Sequence, residues 1–282
     1  GTFDLPLFGT KNIELKMNEK LITLIVPSLK VNFPVSIFSQ VVNDIPLFIP
    51  FDLLPPLSSI KDLYLPNVGI DLLMNDFSMA FFPSQKVSLK LKIPSMKFVF
   101  NSSHNIAGLN IDSIKILTIS DSDKPTLIVN LSEIQSLLTF TEKNKNELSK
   151  LTLESIQKLP QEESVKQPLK CFYFYYKMGL IQINYTHFFA KTLISCVFKT
   201  KFNFKSLPAI PNISLETLSK IKVHLDCSIE RMQINFVVFI NPFASVTLTG
   251  IKLNFDDKWS ASINDFTLLP VTEEEAKSDL KS

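Results

Sequence analysis

The sequence predicts an all-β, mainly antiparallel protein: two tandem β-sandwich-like domains with a short helical segment between them. Three observations carry that prediction. Apolar and polar residues alternate with period two along much of the 282-residue chain. The composition, with 24 Phe and 17 scattered Pro against 6 Gly, favours strands, breaks long helices and leaves little material for glycine-rich phosphate loops. One phrase also recurs along the chain.

That phrase is LIVPSLKVNFPVS at 24–36, LKIPSMKFVFNSS at 91–103 and CSIERMQINFVVF at 227–239. With Phe33, Phe100 and Phe236 in register, an apolar residue stands two back (Val31, Phe98, Ile234). Others stand four back (Leu29, Met96, Met232) and seven back (Val26, Ile93, Ile229). The first gap is 67 residues and the second 136, which places a weaker copy in QPLKCFY at 167–173, with Leu169, Cys171 and Tyr173 in the same slots. Asn101 and Asn241, 140 apart, follow similar strands and precede similar turns. Units of about seventy residues, or two domains of about 140, follow. The expected division is a first β-domain over 1–130, a helical segment and polar linker over 131–166, a second β-domain over 167–272 and a charged tail over 273–282.

Taken in order, Val87, Leu89, Leu91 and Ile93 alternate with Ser88, Lys90 and Lys92. Met232, Ile234, Phe236 and Val238 alternate with Gln233 and Asn235, and Val246 and Leu248 with Thr247 and Thr249. These are strands with one apolar face. Lysines on their outer faces discourage edge pairing. The segment 132–160 lacks this alternation. Ser132 and Gln135 have capping-box spacing, and Ile134, Leu137, Leu138 and Thr141 fit one helical face. Leu148, Leu151, Ile156 and Leu159 resume helical spacing until Pro160.

Charge and motifs exclude several functions. Formal net charge is +2 and the lysines are spread out, so nucleic acid is not an expected partner. The sequence has no nucleophile elbow, P-loop or dinucleotide fingerprint. His104, His187 and His224 lack metal-ligand spacing, and Asp121 and Asp123 lack the rest of a calcium loop. No enzyme activity, cofactor or metal is expected. Cys171, Cys196 and Cys227 form no CxxC and read as buried thiols. The sequons at Asn101, Asn130, Asn184 and Asn212 do not exceed what the composition gives by chance. The Gly1 start suggests a processed product or a fragment, with any membrane anchor outside it.

What remains is apolar surface. DIPLFIPFDLLPPL at 44–57 is too rich in proline for a helix or a central strand. Such a segment is either a buried crossover or an exposed loop, and as a loop it offers Ile45, Leu47, Phe48, Ile49, Phe51, Leu53 and Leu54 to a bilayer or a groove. Phe81 and Phe82, and the aromatic run Phe172, Tyr173, Phe174 and Tyr175, are further candidates for contact with lipid or a partner. The expected partner is membrane lipid or a membrane-proximal protein.

The Asn-Pro-Phe-Ala of 241–244, between INFVVFI and VTLTGIKLNF, resembles the middle of a late embryogenesis abundant type 2 domain. That resemblance covers the second half better than the first, where Ser follows Asn101. It implies small β-sandwiches in a non-enzymatic, membrane-anchored protein of fungal type, acting on the lumenal (vacuolar or endomembrane) or extracellular side. The long alternating strands, the helical segment and the Phe excess also resemble tubular lipid-binding proteins. That resemblance implies acyl chains held in a Phe- and Leu-lined β channel.

Overall fold

The computed structural model describes residues 8–10, 13–18, 20–34, 69–84, 87–120, 126–141, 148–160, 171–186, 222–238 and 241–270. Over these the chain is all-β, as its alternation predicts. The strands are β1 (Phe8–Thr10), β2 (Glu14–Met17), β3 (Leu21–Val26), β4 (Leu29–Pro34), β5 (Gly69–Ser84), β6 (Val87–Asn101) and β7 (Ile106–Ser120). They continue with β8 (Thr126–Thr139), β9 (Cys171–Thr186), β10 (Lys222–Val238), β11 (Asn241–Asp256), β12 (Lys258–Ser262) and β13 (Asp265–Pro270). A 3-10 turn (Leu148–Lys150) and one helix, α1 (Leu153–Lys158), precede β9.

All thirteen strands belong to one sheet. The short ones are pieces of longer lines. β3 and β4 lie parallel to β5 in a single register, Leu21↔Gly69 and Leu29↔Phe77, interrupted only at Pro27 and Ser28. β1 and β2 form one antiparallel line against them, and β12 and β13 one line against β11. Three pairings are parallel, β3 and β4 with β5 and β9 with β10, and the strands β5 to β9 between them are antiparallel throughout. Tight turns use residues that tolerate the left-handed region, Asn105 (φ 54) before β7 and Asp257 (φ 63) before β12.

Every long strand contains one three-residue step in its apolar alternation. β5 reads Ile70, Leu72, Met74, then Phe77 and Met79; β6 reads Leu89, Leu91, Ile93, then Met96 and Phe98. β9 steps from Met178 to Ile181, β10 from Ile229 to Met232, and β11 from Leu248 to Ile251. A plain period-two strand would turn its second half to the opposite face. Instead Ile93 with Met96, Ile111 with Ile114, Leu131 with Ile134 and Met178 with Ile181 all pack in one cluster, so both halves share a face. The steps align across the sheet, through Val26↔Met74↔Met96↔Ile111↔Ile134 and Met178↔Ile229↔Ile251. Three left-handed residues sit on this line, Asp76 (φ 47), Glu133 (φ 55) and Gly250 (φ 60). The recurring phrase in the sequence is this step: its gap between the seventh and fourth residue before Phe is the extra residue.

The opposite face is covered at one end by α1. Val99, Ile106, Leu137, Cys171 and Tyr173 are buried there with Leu148, Leu153 and Ile156. Thr152 and Ser155 form the capping box, and Leu159 closes the helix before Pro160. The Lys97 ammonium donates to the Gln157 carbonyl at 2.9 Å, the Gln135 amide to Leu151 O at 3.3 Å and the Asn101 amide to Leu159 O at 3.2 Å.

Three expectations need correction. Residues 131–139 are strand, not helix, and Ser132 caps nothing; only the later part of 131–166 holds the helix. The misleading spacing has a physical cause. Ile134 packs on one sheet face and Leu137 on the other, so β8 is apolar on both sides and loses its alternation. Tyr173 does not match Phe33, Phe100 and Phe236, because it lies under α1; the matching residues of β9 are Met178, Ile181, Ile183 and Tyr185. Asn101 ends β6 before a turn, whereas Asn241 begins β11, so the two are not equivalent. The ladder Val129↔Ile183 to Thr139↔Tyr173 also carries the sheet continuously between the two halves of the sequence.

Candidate lipid-binding face

Cross-strand register turns the alternation into rows. Val31↔Met79↔Leu91↔Ile116↔Val129↔Ile183↔Ile234↔Val246↔Leu268 is one unbroken row, a residue from each strand line from β4 to β13, and every member is apolar. One residue along, on the other face, runs Lys30↔Ser78↔Lys92↔Lys115↔Asn130↔Gln182↔Gln233↔Thr247↔Thr267, and every member is polar. In these two rows the faces are segregated across the whole width; elsewhere Ser136, paired with Leu109 and Tyr176, interrupts the apolar face. At about 3.3 Å per residue and about 4.8 Å per strand, the apolar face measures roughly 50 Å by 40 Å.

This face is not filled like an interior. In the apolar row only Val31 is buried, the central members are partly exposed and Leu268 is 61 % exposed. Leu253, Trp259, Ile263 and Phe266 on the same flank are exposed too. Ring contacts run along it: Phe172 stacks on Phe174 (6.5 Å), Phe174 on Tyr176 (6.2 Å), and Tyr185, Phe236 and Phe243 follow at 6.2 Å intervals. Its two titratable groups in register, Tyr176 and Cys227, are both held protonated. Burial raises the Tyr176 phenol, with the Cys227 thiol adding to it; burial likewise raises Cys227, with Asp226 adding to it. Neither residue can anchor a charged ligand at neutral pH.

The predicted contact residues divide accordingly. Phe172 and Phe174 belong to the apolar face, whereas Tyr173 and Tyr175 belong to the helix-covered side. That separation answers why the run 171–176 is aromatic on both strand faces. Phe81 and Phe82 lie on β5, where the backbone of Phe81 pairs with Leu89. Ile45, Leu47, Phe48, Ile49, Phe51, Leu53 and Leu54 lie outside the described residues. The sequence reading missed most of the face, because no single strand displays it; the signal is the shared step and the register it permits.

Among the described residues no group of three His, Cys, Asp or Glu side chains is placed to hold a metal ion, and no helix is long and apolar enough to cross a membrane. Cys227 is a free thiol, and the Cys171 thiol donates to Phe140 O at 3.1 Å. His104 lies in the β6–β7 turn with its ring Nδ1 3.2 Å from the Asn101 carbonyl oxygen. Asn101 is 1 % exposed with its amide engaged, so glycosylation there would require local unfolding. No protein-family model matches the chain, and no curated protein matches it with significant similarity.

Proposed function

We propose that the protein is a non-enzymatic lipid-binding protein that holds acyl chains along the apolar face of its sheet and works beside a membrane. The apolar row from Val31 to Leu268 carries this reading. An acyl chain has no hydrogen-bonding groups, so it suits a face that supplies none, whereas a protein ligand would bring backbone groups needing partners. Each buried methylene is worth about 0.8 kcal/mol relative to water. Relative to a bilayer the transfer is close to neutral, since both environments are hydrocarbon, and near-neutral exchange is what a lipid carrier requires. Attachment through the 44–57 segment, which the sequence favours, is a compatible second contact with the same membrane.

Native mass spectrometry with lipid extraction tests the reading. The purified protein is expected to carry phospholipid or fatty acid. Ile183 and Ile234 are direct partners across β9 and β10. Ile183→Asp with Ile234→Asp should abolish the bound lipid, because two carboxylates would be desolvated by the chain. A milder pair at the exposed margin, Val246→Asp with Leu268→Asp, should reduce it while the sheet signal in circular dichroism persists. Lipid-free wild-type protein recovered from a lipid-rich host, or undiminished lipid in a folded variant, would sink the proposal.

A further inference from the structure

The polar face has its own asymmetry. Lys30, Lys90, Lys92 and Lys115 converge on neighbouring strands, β4, β6 and β7, with Ser78 of β5 between them. Lys92 and Lys115 are direct cross-strand partners, and Lys30 and Lys92 both flank Ser78 in the same polar row. Cross-strand neighbours lie about 5 Å apart and same-face neighbours along a strand about 7 Å apart. Among the described residues none of the four enters an ion pair.

Like charges facing each other across a ladder destabilise it, so such an arrangement is costly to keep. Guarding a sheet edge does not account for it, since β4, β5, β6 and β7 are all paired on both sides. The repulsion is felt within the cluster. Desolvation lowers the Lys90 pKa, Lys92 and Lys30 lower it further, and Asp76 opposes them.

We propose that this lysine cluster is a docking surface for an anionic bilayer. Lys30 and Lys92 are exposed on the sheet surface, and a row of cations along a sheet matches a field of headgroup phosphates better than one small anion. The residues between them on β5 are Ser78 and Ala80, which offer no aromatic ring for base stacking, and this disfavours single-stranded nucleic acid. This surface lies on the face opposite the acyl-binding one and stands or falls separately from it.

Sedimentation with vesicles tests it. Wild-type protein should bind vesicles containing about 30 % phosphatidylserine, release with added salt, and bind pure phosphatidylcholine far more weakly. Each lysine near an anionic surface contributes about fivefold. Lys92→Gln with Lys115→Gln should therefore weaken binding about 25-fold, and Lys92→Glu with Lys115→Glu should weaken it more. Both variants should keep their co-purified lipid and unfold at the same or a higher temperature than wild type, because the opposed charges are gone. If the glutamate pair fails to fold, the glutamine pair gives the reading. Equal binding to both vesicle types, undiminished binding by the folded variants, or tighter binding to duplex RNA than to anionic vesicles would overturn the proposal.

Discussion

Gly108 on β7 is where the helix meets the sheet, and Gly108→Ala should separate the stability of the covered face from the capacity of the open one. A Cβ built at Gly108 would collide with Leu153 Cδ2 and stand 3.1 Å from Leu137 Cδ2 and 3.2 Å from Ile156 Cδ1. The first contact is the tip of a flexible side chain and could yield alone. Leu137 and Ile156 are both fully buried and close the other sides, so Leu153 has nowhere to go without lifting α1. Overpacking of this kind costs about 1–3 kcal/mol. Replacing glycine by alanine returns about 0.4–1 kcal/mol through the unfolded chain. A net loss of about 1–2 kcal/mol is expected, read as a lower urea midpoint at unchanged slope. Gly9→Ala is the control, since its nearest neighbour is Lys30 Cβ at an ordinary 3.9 Å. Lipid occupancy should be the same in all three proteins, because α1 and the apolar row are on opposite faces. A Gly108→Ala protein as stable as wild type would refute the packing argument, and one that had lost its lipid would refute the independence of the two faces.

Two further outcomes are expected. Gly250→Val should destabilise the protein by at least about 1–2 kcal/mol, because the left-handed backbone (φ 60) excludes a β-branched residue and the new Cβ would meet the Asn264 amide; thermal unfolding should rank Gly250→Asn between Gly250→Val and wild type. Cys227, whose thiol is raised by burial and then by Asp226, should alkylate more slowly than an exposed cysteine at pH 8 and more slowly still when lipid is loaded, as peptide mapping after timed iodoacetamide exposure would show; equal rates with and without lipid would remove Cys227 from the lipid-covered area.

The strands were legible where one face is apolar and the other polar. Val87 to Ile93 and Met232 to Val238 read correctly because alternation is a local signal. It failed at β8, where Ile134 and Leu137 are buried on opposite sides and a strand takes on helical spacing. The helix was legible from Leu148, Leu151, Ile156 and Leu159, but its true cap, Thr152, was not, because the earlier Ser132 and Gln135 imitate one. The long apolar face was present in the recurring phrase, yet only the copies ending at Phe33, Phe100 and Phe236 stood out, although β5 (Met74, Phe77, Met79, Phe81) and β11 (Leu248, Ile251, Leu253, Phe255) carry the same spacing and the same final Phe. The pairing of β4 with β5 and of β9 with β10 spans long connections, which a linear reading cannot supply.

The three-residue step explains why so wide a face can be mainly apolar. A left-handed residue in mid-strand is unfavourable, about 1–2 kcal/mol for Asp76 and Glu133, which have a Cβ. Taken by one strand alone, the extra residue would also shift that strand against both neighbours and turn half its side chains to the wrong face. Taken by every strand at the same level, it leaves all pairings intact: Met74↔Met96 and Phe77↔Ile93 keep one register on either side of Asp76, and Leu131 and Ile134 keep theirs against Ile114 and Ile111 on either side of Glu133. The step is therefore a property of the sheet and not of any strand, and it is self-selecting. A strand with apolar residues spaced three, two and two joins with all of them on the apolar face. Even the line of β12 and β13 complies, with Ile263 followed by Phe266, Leu268 and Pro270, although among the described residues it is an edge line with a partner on one side only. Conformity at an edge, where packing constrains least, is what selection by the face as a whole requires.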